Sequence, residues 1–230
     1  MITACDKTET QEDSWNHDSF DALLTQHVDM NGDVNYAAFK NEEAKLNTYL
    51  DLLKQHVPQD NWSDNKKMAY WINLYNAFTI YNILLEYPVS SITDIESGAI
   101  WTTRTISIDG TDYTLDQIEN DKLLRAFNEP RVHFAVNCAA ASCPPLLNKA
   151  WTADNIQQYY NSQAKAFINN SAYNTITNSS IEVSRIFDWY AADFGGATQI
   201  VNYVQQYSDT SIDNAATVTY KNYDWTLNEQ

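Results

Sequence analysis

Sixteen residues, Arg131 to Leu146, concentrate the side chains that could do chemistry. They read R-V-H-F-A-V-N-C-A-A-A-S-C-P-P-L and hold two of the chain's three cysteines and one of its four histidines. A thiolate is a strong nucleophile, and a neighbouring imidazole can take the thiol proton, so Cys with His is a minimal set for covalent thiol catalysis. The alternation from Arg131 to Asn137 predicts a strand with Val132, Phe134 and Val136 on one face. Arg131, His133, Ala135 and Asn137 then share the other. Cys138 to Ser142 is too small to anchor a core and reads as a loop. Ser142 can serve as an N-cap and Pro144 suits a first helical turn. Cys143 is therefore expected at a helix N-terminus, where unpaired N–H groups and the helix dipole lower a thiol pKa. His133 lies about four strand residues, roughly 13 Å, back from Asn137. The loop Cys138 to Cys143 is long enough to fold back over that distance.

These placements give expected roles. Cys143 is the nucleophile and His133 the base. Asn137, Glu119 or Asn73 orients the imidazole, and backbone N–H groups after Cys143 face an oxyanion. Cys138 is the less reactive thiol, or the one that resolves a mixed disulfide. Arg125 or Arg131 holds a substrate carboxylate, and Asn73 with Asn76 lines a cleft. Other readings stand beside these. His133 can be a hydrogen-bonded structural residue, Cys143 a small buried hydrophobe, and Cys138 with Cys143 a disulfide. The two asparagines can instead bond loop backbone. Two Cys and one His at C-x4-C spacing are a loose fit to zinc, so no metal and no other cofactor is expected.

The elements that must position this stretch are mostly helical. Ser63 or Asp64 caps a helix running to about Tyr87, before Pro88. It contains M-A-Y-W-I-N-L-Y-N-A-F-T-I-Y-N-I-L-L, apolar on nearly all faces, and so is expected to be central and buried. Asn73 and Asn76, three apart, share one side of it. Shorter helices are expected over 19–28, 36–53, 152–167, 185–194 and 197–207. Thr102 to Tyr113 reads as a hairpin turning at Asp109-Gly110. Thr114-Leu-Asp-Gln117 is a capping box that opens a helix carrying Glu119 and Arg125. Asp29 to Lys40 resembles a calcium loop only superficially, because Val34 and Lys40 stand where Gly and Glu are needed. The sum is a helix-rich α+β fold with a small, mostly antiparallel sheet, as one domain over 19–230.

With 44% hydrophobic residues among 230, the chain can build a sizeable core. Its formal net charge of -16 disfavours nucleic acid and anionic membranes as partners. Five glycines and no G-x-G-x-x-G argue against a phosphate-cradling loop. At the N-terminus, Ile2-Thr-Ala-Cys5 resembles a bacterial lipobox, in which Cys5 would carry the lipid and residues up to 18 would form a tether. Setting Cys5 aside leaves the even pair Cys138 and Cys143, which suits an oxidising envelope. A membrane is then expected as a partner only through a lipid on Cys5.

Several blocks together resemble the DUF547 family. They are Val34-Asn-Tyr36, Ala69-Tyr-Trp-Ile-Asn-Leu-Tyr-Asn76, Leu115-Asp-Gln-Ile-Glu119, Leu124-Arg125, Arg131 to Leu146 and Tyr223-Asp-Trp-Thr-Leu-Asn228. One departure is Asn120, where the family pattern I-E-H carries His. The resemblance implies a bacterial envelope or exported protein and supplies no reaction. Three functions follow as expectations. The first is a cysteine-dependent hydrolase or acyl transferase acting on a peptide-like substrate, similar in logic to papain and transglutaminases. The second is a binding module for a small thiol or a peptide. The third is a structural or interaction domain with a Cys138–Cys143 disulfide.

Overall fold

The computed structural model describes residues 15–230. Cys5 and the lipobox-like segment lie outside them. The described residues form an α+β fold, half helical, with two small sheets.

Helix α1 (Asp18–His27) leads through a short loop to α2 (Tyr36–Lys40) and α3 (Glu43–Gln55). The single helix expected over 36–53 is thus two, broken at Asn41, whose N–H folds back onto the carbonyls of Ala38 and Phe39. Helix α4 (Asp64–Glu86) is the expected central element, and the Ser63 side chain accepts from the N–H of Lys66 at 3.3 Å. Sixteen of its residues between Met68 and Leu84 are buried, Asn73 and Asn76 among them. A helix apolar all round must be covered on all sides, and α2, α3 and later elements pack around it.

After α4 comes α5 (Ile100–Thr103), followed by strands β1 (Thr105–Ile108) and β2 (Thr111–Thr114), an antiparallel hairpin turning at Asp109-Gly110. Thr114 forms the expected capping box with Gln117 at the start of α6 (Leu115–Gln117). The chain then widens into a π-helical stretch, Ile118–Leu124, before α7 (Arg125–Phe127). The second sheet joins β3 (Thr175–Ile176), β4 (Ser180–Val183) and β5 (Thr217–Tyr220). β3 and β4 pair antiparallel, whereas β4 and β5 pair parallel. Helix α8 (Ile156–Asn169) precedes this sheet. Its Ile156 and Tyr160 belong to the core around α4, and its Ala164, Phe167 and Ile168 to a second core under the sheet. Two short helices, α9 (Ile186–Trp189) and α10 (Ile200–Gln205), complete the second core. The helix expected over 185–194 stops at Trp189 and continues as turns to Gly195-Gly196.

The central stretch departs most from expectation. Pro130 to Phe134 is a turn of 3₁₀-helix, and no strand forms over 131–137. Pro130 fixes φ at the first helical position, and Glu129 Oε1 accepts from the N–H of Arg131 at 3.0 Å. Val132, His133 and Phe134 are all buried, so the apparent period of two does not sort inside from outside. No helix starts at Ser142 either. Its hydroxyl accepts from the N–H of Asp224 at 2.9 Å, and the chain runs irregularly past Pro144.

The last residues act as a zipper. Thr226 O accepts from Ala141 N–H at 2.7 Å, and Asn228 O from Val34 N–H at 2.7 Å. Leu227 N–H donates to Ser90 O at 3.0 Å. The C-terminal segment therefore ties the cysteine loop to the start and the middle of the chain. Among the described residues no helix is long and apolar enough to cross a membrane.

Candidate functional site

The cysteine loop is fixed from the floor by the asparagines of α4. Asn76 Oδ1 accepts from the N–H of Asn137 at 2.9 Å, and its Nδ2 donates to Ala135 O at 2.9 Å. Asn73 does the same for Trp151, accepting from its N–H at 3.0 Å and donating to its carbonyl at 2.7 Å. Both replace a missing backbone partner in irregular chain, where an unpaired buried group costs about 1–3 kcal/mol. Neither lines the cleft as expected. Asn137 acts similarly: its Oδ1 accepts from Ala139 N–H at 2.9 Å and its Nδ2 donates to Pro144 O at 2.9 Å. It holds the loop and leaves the imidazole to others. Ala139 sits at φ 60°, a left-handed conformation costly for a residue with a Cβ. These bonds hold it there, next to Cys138.

Above this floor is a cavity of about 240 Å³. Cys138, Cys143, His133 and Glu119 all line it, so four of the residues singled out by sequence converge. Their internal arrangement differs from the expected dyad. His133 is 4% exposed, with Nε2 2.8 Å from Asp193 Oδ2 and Nδ1 3.6 Å from Glu119 Oε1. The Tyr190 ring covers it at 4.2 Å between centroids. Both ring nitrogens thus face carboxylates, and His133 makes no hydrogen bond to either cysteine. Glu119 is turned inward by the π-helical stretch, a kind of irregularity common at functional sites. Burial raises its carboxyl pKa, opposed by the nearby His133 and by a hydrogen bond with Tyr75.

The two sulfurs are free thiols in contact. The backbone N–H of Cys138 donates to Cys143 Sγ at 2.9 Å, and the Tyr223 hydroxyl lies 3.2 Å from Cys138 Sγ. Hydrogen bonding from Cys143 pulls the Cys138 pKa down, against the cost of burial and with help from Tyr223. Burial pushes the Cys143 thiol up, and the neighbouring Cys138 adds to the shift. The thiol favoured as thiolate is thus Cys138, where Cys143 was expected. Cys143 lacks the helix end that would have lowered its pKa, and it is buried, whereas Cys138 is part-exposed.

The arginines lie elsewhere. Arg125 is exposed and ion-paired with Asp121 on the outer side of its helix. Arg131 Nε donates to Glu129 Oε1 at 2.8 Å, and its guanidinium sits 5.0 Å over the Tyr160 ring. Neither lines the cavity, and each charge is already met by a carboxylate. Asn120, at the His position of the family pattern, donates to Asp116 Oδ1 at 3.0 Å. Asp116 is itself a wall of the cavity. Sequence reasoning missed Asp193, Tyr190 and Tyr223 as site residues. Only Tyr223 left a signal, as the first residue of the Y-D-W-T-L-N block. Asp193 sits in an exposed turn after α9, without a pattern of its own. Among the described residues, no group of three or more His, Cys, Asp or Glu is arranged to hold a metal ion.

No curated protein and no solved structure matches the chain. Residues 59–168 match the family model described as "Protein of unknown function, DUF547". That span supplies α4, Glu119, His133 and both thiols, while Asp193, Tyr190, Tyr223 and two tryptophans of the cavity come from beyond it. Over residues 59–168 the chain is thus similar to the DUF547 family.

Proposed function

We propose that the chain performs thiol–disulfide exchange, with Cys138 as the attacking sulfur and Cys143 as the resolving one. The observation behind this reading is the contact of two free thiols in one cavity, the part-exposed one favoured as thiolate by the buried one. Cys138 thiolate attacks one sulfur of a substrate disulfide. A mixed disulfide forms, the substrate S–S bond breaks, and the departing thiolate takes up a proton. Cys143 then gives up its proton and attacks the Cys138 sulfur. The second substrate thiol leaves, and Cys138 and Cys143 end as a disulfide. Two electrons and two protons pass from protein to substrate, and an external thiol reductant restores the pair.

The test is intact mass after treatment of reduced protein with oxidised glutathione, on a Cys5→Ser background throughout so that only Cys138 and Cys143 can react. The wild type should lose two hydrogens and keep no adduct. Cys143→Ser should retain one glutathione on Cys138, and Cys138→Ser should retain none. A folded wild type that neither oxidises nor takes an adduct sinks the reading. A thiol count on unreduced protein would reveal a permanent disulfide.

A second reading is favoured by the 2.8 Å contact of His133 with Asp193 beside the same thiols. It is a cysteine-dependent hydrolase or acyl transferase acting on a peptide-like substrate. Cys138 would attack the carbonyl carbon, and the leaving group would take its proton from His133. Water or an amine would then cleave the thioester. An acyl adduct on Cys138 from a thioester substrate, with slower formation in His133→Ala, supports it. Envelope placement through a lipid on Cys5 belongs to the same proposal. If Cys5→Ser leaves the membrane fraction unchanged, the anchor is wrong.

A further inference from the structure

We infer that the mouth of the Cys138 cavity is a binding site for an organic ammonium group on the substrate. The juxtaposition that carries this is four aromatic rings beside an acidic wall. Trp101 comes from α5, Trp189 ends α9, and Tyr223 with Trp225 comes from the C-terminal segment. All four line the cavity. They form one continuous run, with centroids 5.8 Å apart for Trp101–Trp225, 4.5 Å for Tyr223–Trp225 and 4.8 Å for Trp189–Tyr223.

A hydrophobic core would bury such rings, but Trp189 is 48% exposed and the other three are only part-buried. Three distant parts of the chain thus bring rings to one cavity wall, where they pack against one another and still stay part-exposed. The faces carry the negative end of the aromatic quadrupole and attract cations. Asp116 and Glu119 line the same cavity, and no Lys or Arg does. An anionic ligand would meet these carboxylates, and the one basic side chain on the wall, His133, already faces Asp193 and Glu119. The inference rests on this cavity being the thiol site, and it gives the substrate a positively charged group next to its disulfide or acyl group.

The test is calorimetric titration of the reduced chain at constant ionic strength. The probes are choline and its neutral isostere 3,3-dimethylbutan-1-ol, with methyl glucoside as a third arm. Choline carries no electrophile, so its binding is independent of any reaction at Cys138. Failure here leaves the glutathione result standing, and the reverse also holds. Choline should bind about tenfold more tightly than the alcohol. Trp189→Ala should weaken choline about tenfold in a variant whose circular dichroism at the titration temperature matches the wild type. Asp116→Asn should narrow the preference for choline over the alcohol. Equal binding of choline and the alcohol, tighter binding of the glucoside, or full choline affinity in Trp189→Ala would overturn the inference.

Discussion

The hydroxyl of Tyr223 lies 3.2 Å from Cys138 Sγ, joining residues 85 positions apart in the chain. The contact depends on the C-terminal zipper. Asp224 and Thr226, just after Tyr223, accept from the backbone N–H groups of Ser142 and Ala141. The residue that helps set the thiol's acidity is therefore held by main-chain bonds to the loop it serves.

Removing that hydroxyl should be felt at the two sulfurs. A hydrogen bond to a charged group is worth about 1.5–3 kcal/mol, and one pKa unit is about 1.36 kcal/mol. Tyr223→Phe is therefore expected to raise the midpoint of the Cys138 alkylation curve by about one to two units. Cys143, whose thiol the same hydroxyl also favours as thiolate, should move up with it, while Tm should stay put. A Cys138 midpoint unmoved in a folded variant would mean that Cys143 alone sets its acidity.

The two asparagines of α4 make a paired prediction. Asn73→Leu and Asn76→Leu each orphan a buried backbone N–H and C=O, of Trp151 in one case and of Asn137 and Ala135 in the other. Each should cost about 2–4 kcal/mol, at about 1–3 kcal/mol per orphaned group less some relaxation. For a chain of this size that lowers Tm by roughly 4–16 °C. Only Asn76→Leu should also change Cys138 alkylation, because Asn76 holds the loop that carries the thiol. Equal effects on reactivity would show that general loosening is at work.

What was legible in the sequence was whatever a local pattern dictates. The capping box at Thr114, the Asp109-Gly110 turn and the all-round apolar run of α4 each need only neighbouring residues to be interpreted. The convergence of Cys138, Cys143, His133 and Glu119 could also be named, because their types are rare and chemically apt. Their partners could not. His133 is held by Asp193 and Glu119, and Cys138 by Tyr223, all tertiary contacts across 14 to 85 positions. The strand expected over 131–137 failed for a related reason. Its alternation was real in the sequence, but Pro130 and Glu129 form a turn and burial takes in both faces. The helix expected after Ser142 failed because a distant backbone N–H, that of Asp224, claims the Ser142 hydroxyl.

Glu119 makes stability depend on pH in one direction. Burial raises its folded pKa above the ordinary 4.5. The folded state then binds the proton more tightly than the unfolded state does. The resulting stability is complete below 4.5 and is lost as pH rises through the folded pKa. Glu119→Gln removes the titration. Urea midpoints taken stepwise upward from pH 4 should fall less steeply in the variant than in the wild type. Parallel curves would show that Glu119 titrates as it does in the unfolded chain.

His17 acts in the opposite direction, far from the cavity. It is buried beside α3, with Nδ1 2.6 Å from the Tyr49 hydroxyl and the Trp15 ring edge-on at 5.1 Å. Burial, with the charge of Lys66 nearby, lowers its pKa from the ordinary 6.5 to about 4. The unfolded chain therefore binds the proton first on acidification. Stability from the neutral ring is complete above 6.5 and is lost progressively as pH falls to about 4. At about 1.36 kcal/mol per unit, the loss is about 3 kcal/mol. His17→Gln keeps a polar group for Tyr49 but cannot take up the proton. Denaturation at pH 7 and pH 4.5 should show the wild type losing most of that 3 kcal/mol, with the variant starting less stable and losing little of it. The double variant with Glu119→Gln should show the two effects adding, since separated sites without shared partners are independent. A His17→Gln slope matching the wild type would mean that the ring is protonated in the folded state as readily as in the unfolded chain.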